Sequence, residues 1–183
     1  LDLSGRTILS HIIERARAQV APLLLNVNRN TEAYAVYGLP LVSDSSALPQ
    51  CAGPLAGIMA AMEWLQLAEK DVTHLACFPG DTPWFPHDIV ATMAAPLQAV
   101  DQRIAWIATD GQLQPLFSLW PLSLLPRLRK ALAAGHYSPC YFIEAQDNQL
   151  ISLEALESGM FMNINEPESL ARALAEAAER AAA

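Results

Sequence analysis

The spacing of hydrophobic and polar residues changes several times along this chain, and each change marks the start of a new predicted helix or strand. From Thr7 to Gln19 apolar residues recur at helical spacing. The run from Leu23 to Asn28 is short and mostly apolar, and it ends in a polar residue, which is typical of a buried strand. A short helix is predicted from Thr31 to Tyr37, ended by Gly38. A short strand is predicted from Pro40 to Val42.

The rest of the chain continues this alternation of helices and strands. We predict helices at Leu55 to Ala68, Pro86 to Ala95, Pro121 to Ala134 and Ser169 to about Arg180, and strands at Leu75 to Phe78, Ile104 to Thr109, Leu113 to Trp120 and Phe161 to Asn165. The segment from His136 to Leu150 is predicted as a short helix and a strand. The pair Asp110-Gly111 predicts a hairpin and hence an antiparallel strand. The pattern therefore predicts one domain over residues 1–183, a three-layer α/β fold with a mostly parallel, mixed sheet.

Composition excludes several classes of protein. The 183 residues are 52% hydrophobic and 16% charged, which favours a folded domain over a disordered chain. A net charge of −8 argues against non-specific nucleic-acid binding. No apolar run has the length of a membrane span, and no signal peptide is visible. Cys51, Cys77 and Cys140 lack the spacing of a zinc site or a disulfide framework, so we expect a reducing, cytoplasmic environment.

The candidate chemistry begins at Asp81, which follows the apolar run from Leu75 to Phe78. In open α/β sheets ligands bind outside the carboxyl ends of the strands. One carboxylate at such a position is enough to hold Mg²⁺ beside phosphates. The alternative is structural, because an Asp before Thr82-Pro83 is also ordinary turn or helix-cap chemistry. This stretch alone leaves both interpretations open.

Other predicted strands end in the same kind of residue. Asn28, Asp44, Asn163 and Asn165 follow three of them, and parallel strands would bring these groups to one edge of the sheet. Gly53 precedes a helix start, where free N–H groups attract anions. Asp44 or Asn28 is a candidate acceptor for the N–H or O–H donors of a purine or ribose. Each residue has a structural alternative, as a turn residue or a close helix packing point.

Taken together, these motifs resemble one family. Asn28-Arg29, Asp44-Ser45, Gly53-Pro54-Leu55-Ala56-Gly57, Gly80-Asp81-Thr82-Pro83 and Asn163-Ile164-Asn165-Glu166-Pro167 occur in the order and at the spacings of the molybdenum cofactor guanylyltransferase (MobA) family. The resemblance extends from Gly5 to the last helix. It implies a Rossmann-like nucleotidyltransferase fold and an enzyme that transfers GMP from GTP to molybdopterin, with Mg²⁺ and release of pyrophosphate.

The resemblance also implies roles for individual residues. Asp81 matches the family's Mg²⁺ ligand and is the catalytic residue that it implies. Asn28 and Asp44 match guanine-nucleotide contacts, with Gly53 in the loop beside them. Asn163 and Asn165 match asparagines on the molybdopterin side. Partner proteins that handle molybdopterin or chaperone molybdoenzymes are expected, whereas nucleic acid and membranes are not.

The front of the chain departs from the family pattern. The family opens with a strand and a Gly-Gly-x-Ser-x-Arg-Met-Gly loop that cradles the triphosphate. Leu1 to Thr7 matches the segment after that loop, so we expect the strand and loop to be missing from this chain and a chain without them to be inactive. Two alternatives stay open: a cytidylyltransferase of the same fold, and a non-catalytic nucleotide- or pterin-binding adaptor.

Overall fold

The computed structural model describes residues 2–3, 5–49, 52–69, 71–97, 102–154, 159–166, 168–172 and 174–175. The β-strands are β1 (Asp2–Leu3), β2 (Arg6–Thr7), β3 (Leu25–Asn26), β4 (Leu41–Val42), β5 (His74–Cys77), β6 (Ile104–Thr109), β7 (Gln112–Pro121) and β8 (Asn148–Leu153). The α-helices are α1 (Ile8–Arg17), α2 (Thr31–Tyr34), α3 (Pro54–Ala68), α4 (Ile89–Ala94), α5 (Leu125–Ala133) and α6 (Pro139–Glu144). None of the helices described has the length and apolar character that a bilayer-spanning segment requires.

The largest sheet has four strands in the order β5-β7-β6-β8. Strand β7 is antiparallel to both of its neighbours, whereas β6 and β8 are parallel, so β5, β6 and β8 run in one direction. Strands β6 and β7 form the hairpin predicted from Asp110-Gly111, and Asp110 and Gly111 both have positive φ. Strands β3 and β4 form a separate parallel pair, and β1 and β2 form a short antiparallel pair. The predicted three-layer α/β architecture with a mixed sheet is confirmed.

Helices cover both faces of the four-stranded sheet, which gives the fold its three layers. Alternate residues of β6 supply the two cores: Ile104 and Trp106 join one, and Ala105 and Ile107 the other. Helices α3, α5 and α6 pack on the first face, and α1 and α4 on the second. The first core includes Leu55, Met62, Trp120, Leu125, Leu128 and Phe142, and the second includes Ile8, Ile12, Phe85, Ile89, Met93 and Phe117.

Local chemistry fixes the helix ends that matter for the site. Thr7 caps α1, since its Oγ1 accepts a hydrogen bond from the Ser10 N–H. Gly53 precedes α3 with φ 62° and ψ −158°, a conformation that favours glycine. Pro54 follows at the first position of α3, where its missing N–H leaves no bond unmade. The α3 N-terminus is therefore set by the Gly53-Pro54 pair.

Several predicted boundaries differ from the structure. The predicted strand from Phe161 to Asn165 is wrong, because this segment is turn and coil and bonds to a loop rather than to a strand. The predicted helix from Pro121 begins only at Leu125, after Pro121 has ended β7 and a 3₁₀ turn has intervened. The first buried strand shortens to β3. The predicted last helix is seen at 168–172 and 174–175, and its remainder lies outside the described residues.

Candidate active site

A carboxylate held by two amides lies where β3 and β4 end. These parallel strands finish side by side, so Asp44 comes next to Asn26 and Asn28. Asn26 Nδ2 donates to Asp44 Oδ1 at 2.9 Å, and Asn28 Nδ2 donates to Asp44 Oδ2 at 2.8 Å. The Asp44 N–H donates to Asn28 Oδ1 at 2.9 Å. Both carboxylate oxygens are thereby oriented, and each keeps a lone pair for a further donor.

The start of α3 lies against this carboxylate network. A β-carbon placed on Gly57 would be 2.6 Å from Asn26 Oδ1, closer than real side chains approach one another. Gly57 is thus the position at which the helix lets the Asn26 side chain in. Gly53 lies four residues before Gly57, at the same end of α3.

Asp81 lies in the turn that follows β5. Its carboxylate is half-buried, and Oδ1 accepts a hydrogen bond from Thr82 Oγ1 at 3.1 Å. Its other oxygen, Oδ2, accepts no hydrogen bond from a residue in the described ranges. Asp81 does not cap α4, which begins after Asp88. One carboxylate oxygen is therefore left to bind a ligand.

The segment from Phe161 to Asn165 crosses this turn and is bonded to it. Ile164 N donates to Asp81 O at 2.8 Å, and Phe161 N donates to Trp84 O at 2.8 Å. Asn163 Oδ1 also accepts a hydrogen bond from Thr82 Oγ1 at 2.6 Å. Asn165 is exposed, and its side chain makes no hydrogen bond to another described residue. The structure thus joins Asn163 directly to the Asp81 turn and leaves Asn165 beside it in solvent.

A cleft of about 1140 Å³ lies between the Asn26–Asn28 strand end and the Asp81 turn. Asn26, Asn28, Gly57 and Asp81 all line it. Asp44 is bonded to two of these lining residues, Asn26 and Asn28. The cleft runs between β3 and β5. Among the described strands, β3 pairs only with β4 and β5 only with β7, so each presents an unpaired edge to the cleft. This volume slightly exceeds the usual range for a small-molecule pocket.

The side chains that could donate to a metal ion determine which kind of ion fits this site. Within the described ranges no three His, Cys, Asp or Glu side chains come together as a ready-made metal site. That argues against a structural zinc site of the four-ligand kind. A single open carboxylate oxygen on Asp81 instead fits Mg²⁺, which takes one or two carboxylates and completes its shell with water and substrate phosphates.

Two residues of the site were missed by the sequence interpretation. Asn26 was counted as part of a strand, although the Asn-x-Asn pattern at 26 and 28 places both side chains on the same side of an extended segment. The sequence around Thr82 indicates only a turn, yet Thr82 is fully buried and bonds to both Asp81 and Asn163. No local signal reveals its bond to Asn163, because the two residues are 81 positions apart.

Comparison with known proteins gives the family context. The family described as "MobA-like NTP transferase domain" matches residues 1–149. A protein named molybdenum cofactor guanylyltransferase from Bradyrhizobium sp. (strain ORS 278) is 34% identical over 172 residues, covering 93% of this chain and 80% of that protein. Its namesake from Rhizobium meliloti (strain 1021) is 33% identical over 179 residues, covering 94% and 81%.

Solved structures are similar at the level of the fold. Molybdopterin-guanine dinucleotide biosynthesis protein A from Archaeoglobus fulgidus superposes with a TM-score of 0.72 at 17% identity, covering 98% of this chain and 89% of that one. A 4-diphosphocytidyl-2C-methyl-D-erythritol synthase superposes with a TM-score of 0.66 at 12% identity, covering 97% and 93%. The fold is therefore shared by proteins that carry different functional names.

Proposed function

Because this chain belongs to the molybdenum cofactor guanylyltransferase family, within the MobA-like NTP transferase domains, we propose that it transfers GMP from GTP to molybdopterin. The product is the guanine dinucleotide form of the cofactor, and pyrophosphate leaves. Beyond membership of the family, the observation that carries the proposal is the oriented Asp44 carboxylate, whose amide partners Asn26 and Asn28 line the same cleft as Asp81.

Base recognition follows from the chemistry of that carboxylate. Guanine carries two neighbouring N–H donors on its pairing edge, and a carboxylate with a free lone pair on each oxygen accepts both. Cytosine has an acceptor nitrogen on its pairing edge, which a carboxylate repels. The amides of Asn26 and Asn28 hold Asp44 in place for this contact, and Gly53 supports nucleotide approach at the α3 N-terminus.

Asp81 is the group that we assign to Mg²⁺. When bound there, Mg²⁺ neutralises phosphate charge and makes the phosphoryl group more electrophilic. Asp81 contributes the fixed negative charge that holds the ion, with its Oδ1 already oriented by Thr82. The alternative that Asp81 caps the following helix loses support, since α4 starts eight residues further on, at Ile89.

The transfer needs no activated protein nucleophile. A terminal phosphate oxygen of molybdopterin is already anionic, and it forms the new bond to the α-phosphorus of GTP while the bond to the pyrophosphate oxygen breaks. The protein's contribution is to align the two substrates and offset their charge. Asn163 and Asn165 are assigned to the molybdopterin side, and their position across the Asp81 turn supports this assignment.

The cellular setting is part of the same proposal. We place the reaction in the cytoplasm, and the free thiols of Cys77 and Cys140 agree with a reducing compartment. Proteins that deliver molybdopterin or receive the product are the expected partners.

The test compares nucleotides in the full-length protein with Mg²⁺ present. We expect GTP to raise the unfolding temperature more than CTP or UTP does, and to support formation of the guanine dinucleotide. Stabilisation and turnover with CTP alone would establish the cytidylyltransferase alternative. Nucleotide stabilisation without any turnover would establish the adaptor.

A further inference from the structure

The Thr82 hydroxyl occupies an unusual position between two parts of the candidate site. Its residue is 0% exposed, so its hydroxyl depends on protein partners for hydrogen bonding. Oγ1 lies 3.1 Å from Asp81 Oδ1 and 2.6 Å from Asn163 Oδ1. One buried hydroxyl therefore contacts both the proposed cation ligand and a residue assigned to the acceptor side.

The main chain already holds the two segments together without this side chain. The bonds from Ile164 N to Asp81 O and from Phe161 N to Trp84 O attach the crossing segment to the turn at both ends. What the Thr82 hydroxyl sets is the orientation of two side-chain groups, because it has a single proton and two oxygen acceptors.

We propose that Thr82 is a positioning residue that couples cation binding at Asp81 to the orientation of Asn163, and hence to binding of the acceptor. This inference rests on the proposed function. With a cation on the free Oδ2 of Asp81, the Thr82 proton would stay shared between Asp81 Oδ1 and Asn163 Oδ1, which lie 3.1 Å and 2.6 Å from Oγ1. The Asn163 carbonyl is thereby fixed towards Thr82, which leaves its Nδ2 group as the donor for an anionic acceptor.

Three variants of the full-length protein test this coupling. Thr82→Val removes the hydroxyl and keeps the shape, Thr82→Ser keeps the hydroxyl, and Thr92→Val is a matched control on α4 whose hydroxyl bonds no described residue. The first measurement is Mn²⁺ affinity by electron paramagnetic resonance, without substrates. We expect Thr82→Val to weaken it by about tenfold, as loss of a partner behind a metal ligand usually does. Thr82→Ser and Thr92→Val should match the wild type.

The second measurement separates the two substrates. We expect Thr82→Val to raise the KM for molybdopterin more than the KM for GTP, and Thr82→Ser to restore both. Equal Mn²⁺ affinity and equal KM values in wild type and Thr82→Val would overturn the coupling. If Thr82→Val unfolds, a wild-type result for Thr82→Ser supports the proposal, and loss of Mn²⁺ affinity in Thr82→Ser, with the hydroxyl present, overturns it.

The Mn²⁺ measurement keeps this inference separate from the proposed function. A wild-type protein that makes no guanine dinucleotide would overturn the proposed function. A tenfold loss of Mn²⁺ affinity in Thr82→Val, with Thr82→Ser unchanged, would still support the link between Thr82 and the cation site. A wild-type protein that turns over normally, with Thr82→Val unchanged in every measurement, would overturn the inference alone.

Discussion

Gly57 of α3 makes room for the side chain of Asn26, whose Oδ1 would lie 2.6 Å from a β-carbon at that position. The relationship joins the packing of a helix to the chemistry of the site, because Asn26 in turn donates to Asp44. A residue without a side chain is required here by contact and not by backbone conformation. The helix start and the carboxylate network therefore form one structural unit.

Gly57→Ala is expected to weaken GTP binding. In an ordinary helix interior this change would stabilise by roughly 0.5–1 kcal/mol, but here the new methyl group displaces Asn26 and removes a hydrogen bond from Asp44. We expect a higher KM for GTP and a lower unfolding temperature. The check is a double-mutant cycle with Asn26→Ala, in which Gly57→Ala should cost much less once Asn26 is truncated. Additive effects of the two changes would contradict the contact.

Asp44→Asn is expected to reduce the preference for guanine. The substitution places an N–H group where a charge-assisted acceptor stood, and such bonds are worth about 1.5–3 kcal/mol. The KM for GTP should rise by about 10- to 100-fold, while that for CTP changes little. The comparison is steady-state kinetics beside Asp71→Asn, an exposed position outside the cleft. An unchanged KM for GTP would remove Asp44 from base recognition.

Asp81→Asn is expected to abolish transfer while leaving the fold intact. Under the proposed function the substitution removes the charge assigned to hold Mg²⁺ and forfeits several kcal/mol of charge stabilisation, so turnover should fall by about a thousandfold or more. Asp88→Asn is the matched control, because Asp88 is exposed and its side chain makes no capping bond at α4. Turnover and unfolding temperature are measured together. Full activity in Asp81→Asn would exclude this carboxylate from the mechanism.

Truncating a buried leucine and an exposed leucine should change the free energy of unfolding by different amounts. Leu128 is fully buried against α3, whereas Leu67 is 86% exposed. Leu128→Ala should lower the free energy of unfolding by about 2–5 kcal/mol, and Leu67→Ala should change it by less than about 0.5 kcal/mol. Urea titration of both variants tests the difference. Similar losses at both sites would contradict the assigned core.

Cys77 gives a prediction for alkaline pH. Burial raises the pKa of its thiol to about 12 from an ordinary value of 9.0, against a smaller opposing effect of a hydrogen bond with Ser118. The unfolded chain therefore loses this proton first, so the free energy of unfolding falls as the pH rises from 9.0 towards about 12. Cys77→Ala should show a shallower fall over that range in urea titrations. An identical pH dependence would indicate an unperturbed thiol.

The sequence predicts best the features that depend on neighbouring residues. The Asp110-Gly111 hairpin and the helix start at Pro54 were predicted correctly, because positive φ and the missing proline N–H act within a few residues. The helix and strand in the 136–150 region were also anticipated. Pro121 was misassigned to a helix because a proline at a helix start and one ending a strand look the same in one sequence.

Long-range bonding explains what the sequence could not predict. The Phe161–Asn165 segment has the apolar and polar alternation of a strand, but its N–H groups find the carbonyls of Asp81 and Trp84 in a loop. Whether these N–H groups bond to the loop carbonyls or to a neighbouring strand depends on how the whole chain packs. The bond from Thr82 to Asn163 follows from the same packing, so neither residue could be connected to the other in advance.

The unpaired edges of β3 and β5 have a practical consequence for handling the chain. Along each edge the main chain carries donors and acceptors that no described strand satisfies, and such rows template the addition of foreign strands. Two copies that meet at these edges would form hydrogen bonds between their strands, whether or not the protein is catalytically active. We therefore expect self-association at high protein concentration. Dilution, or a peptide that pairs with the exposed strand edge, should reduce it.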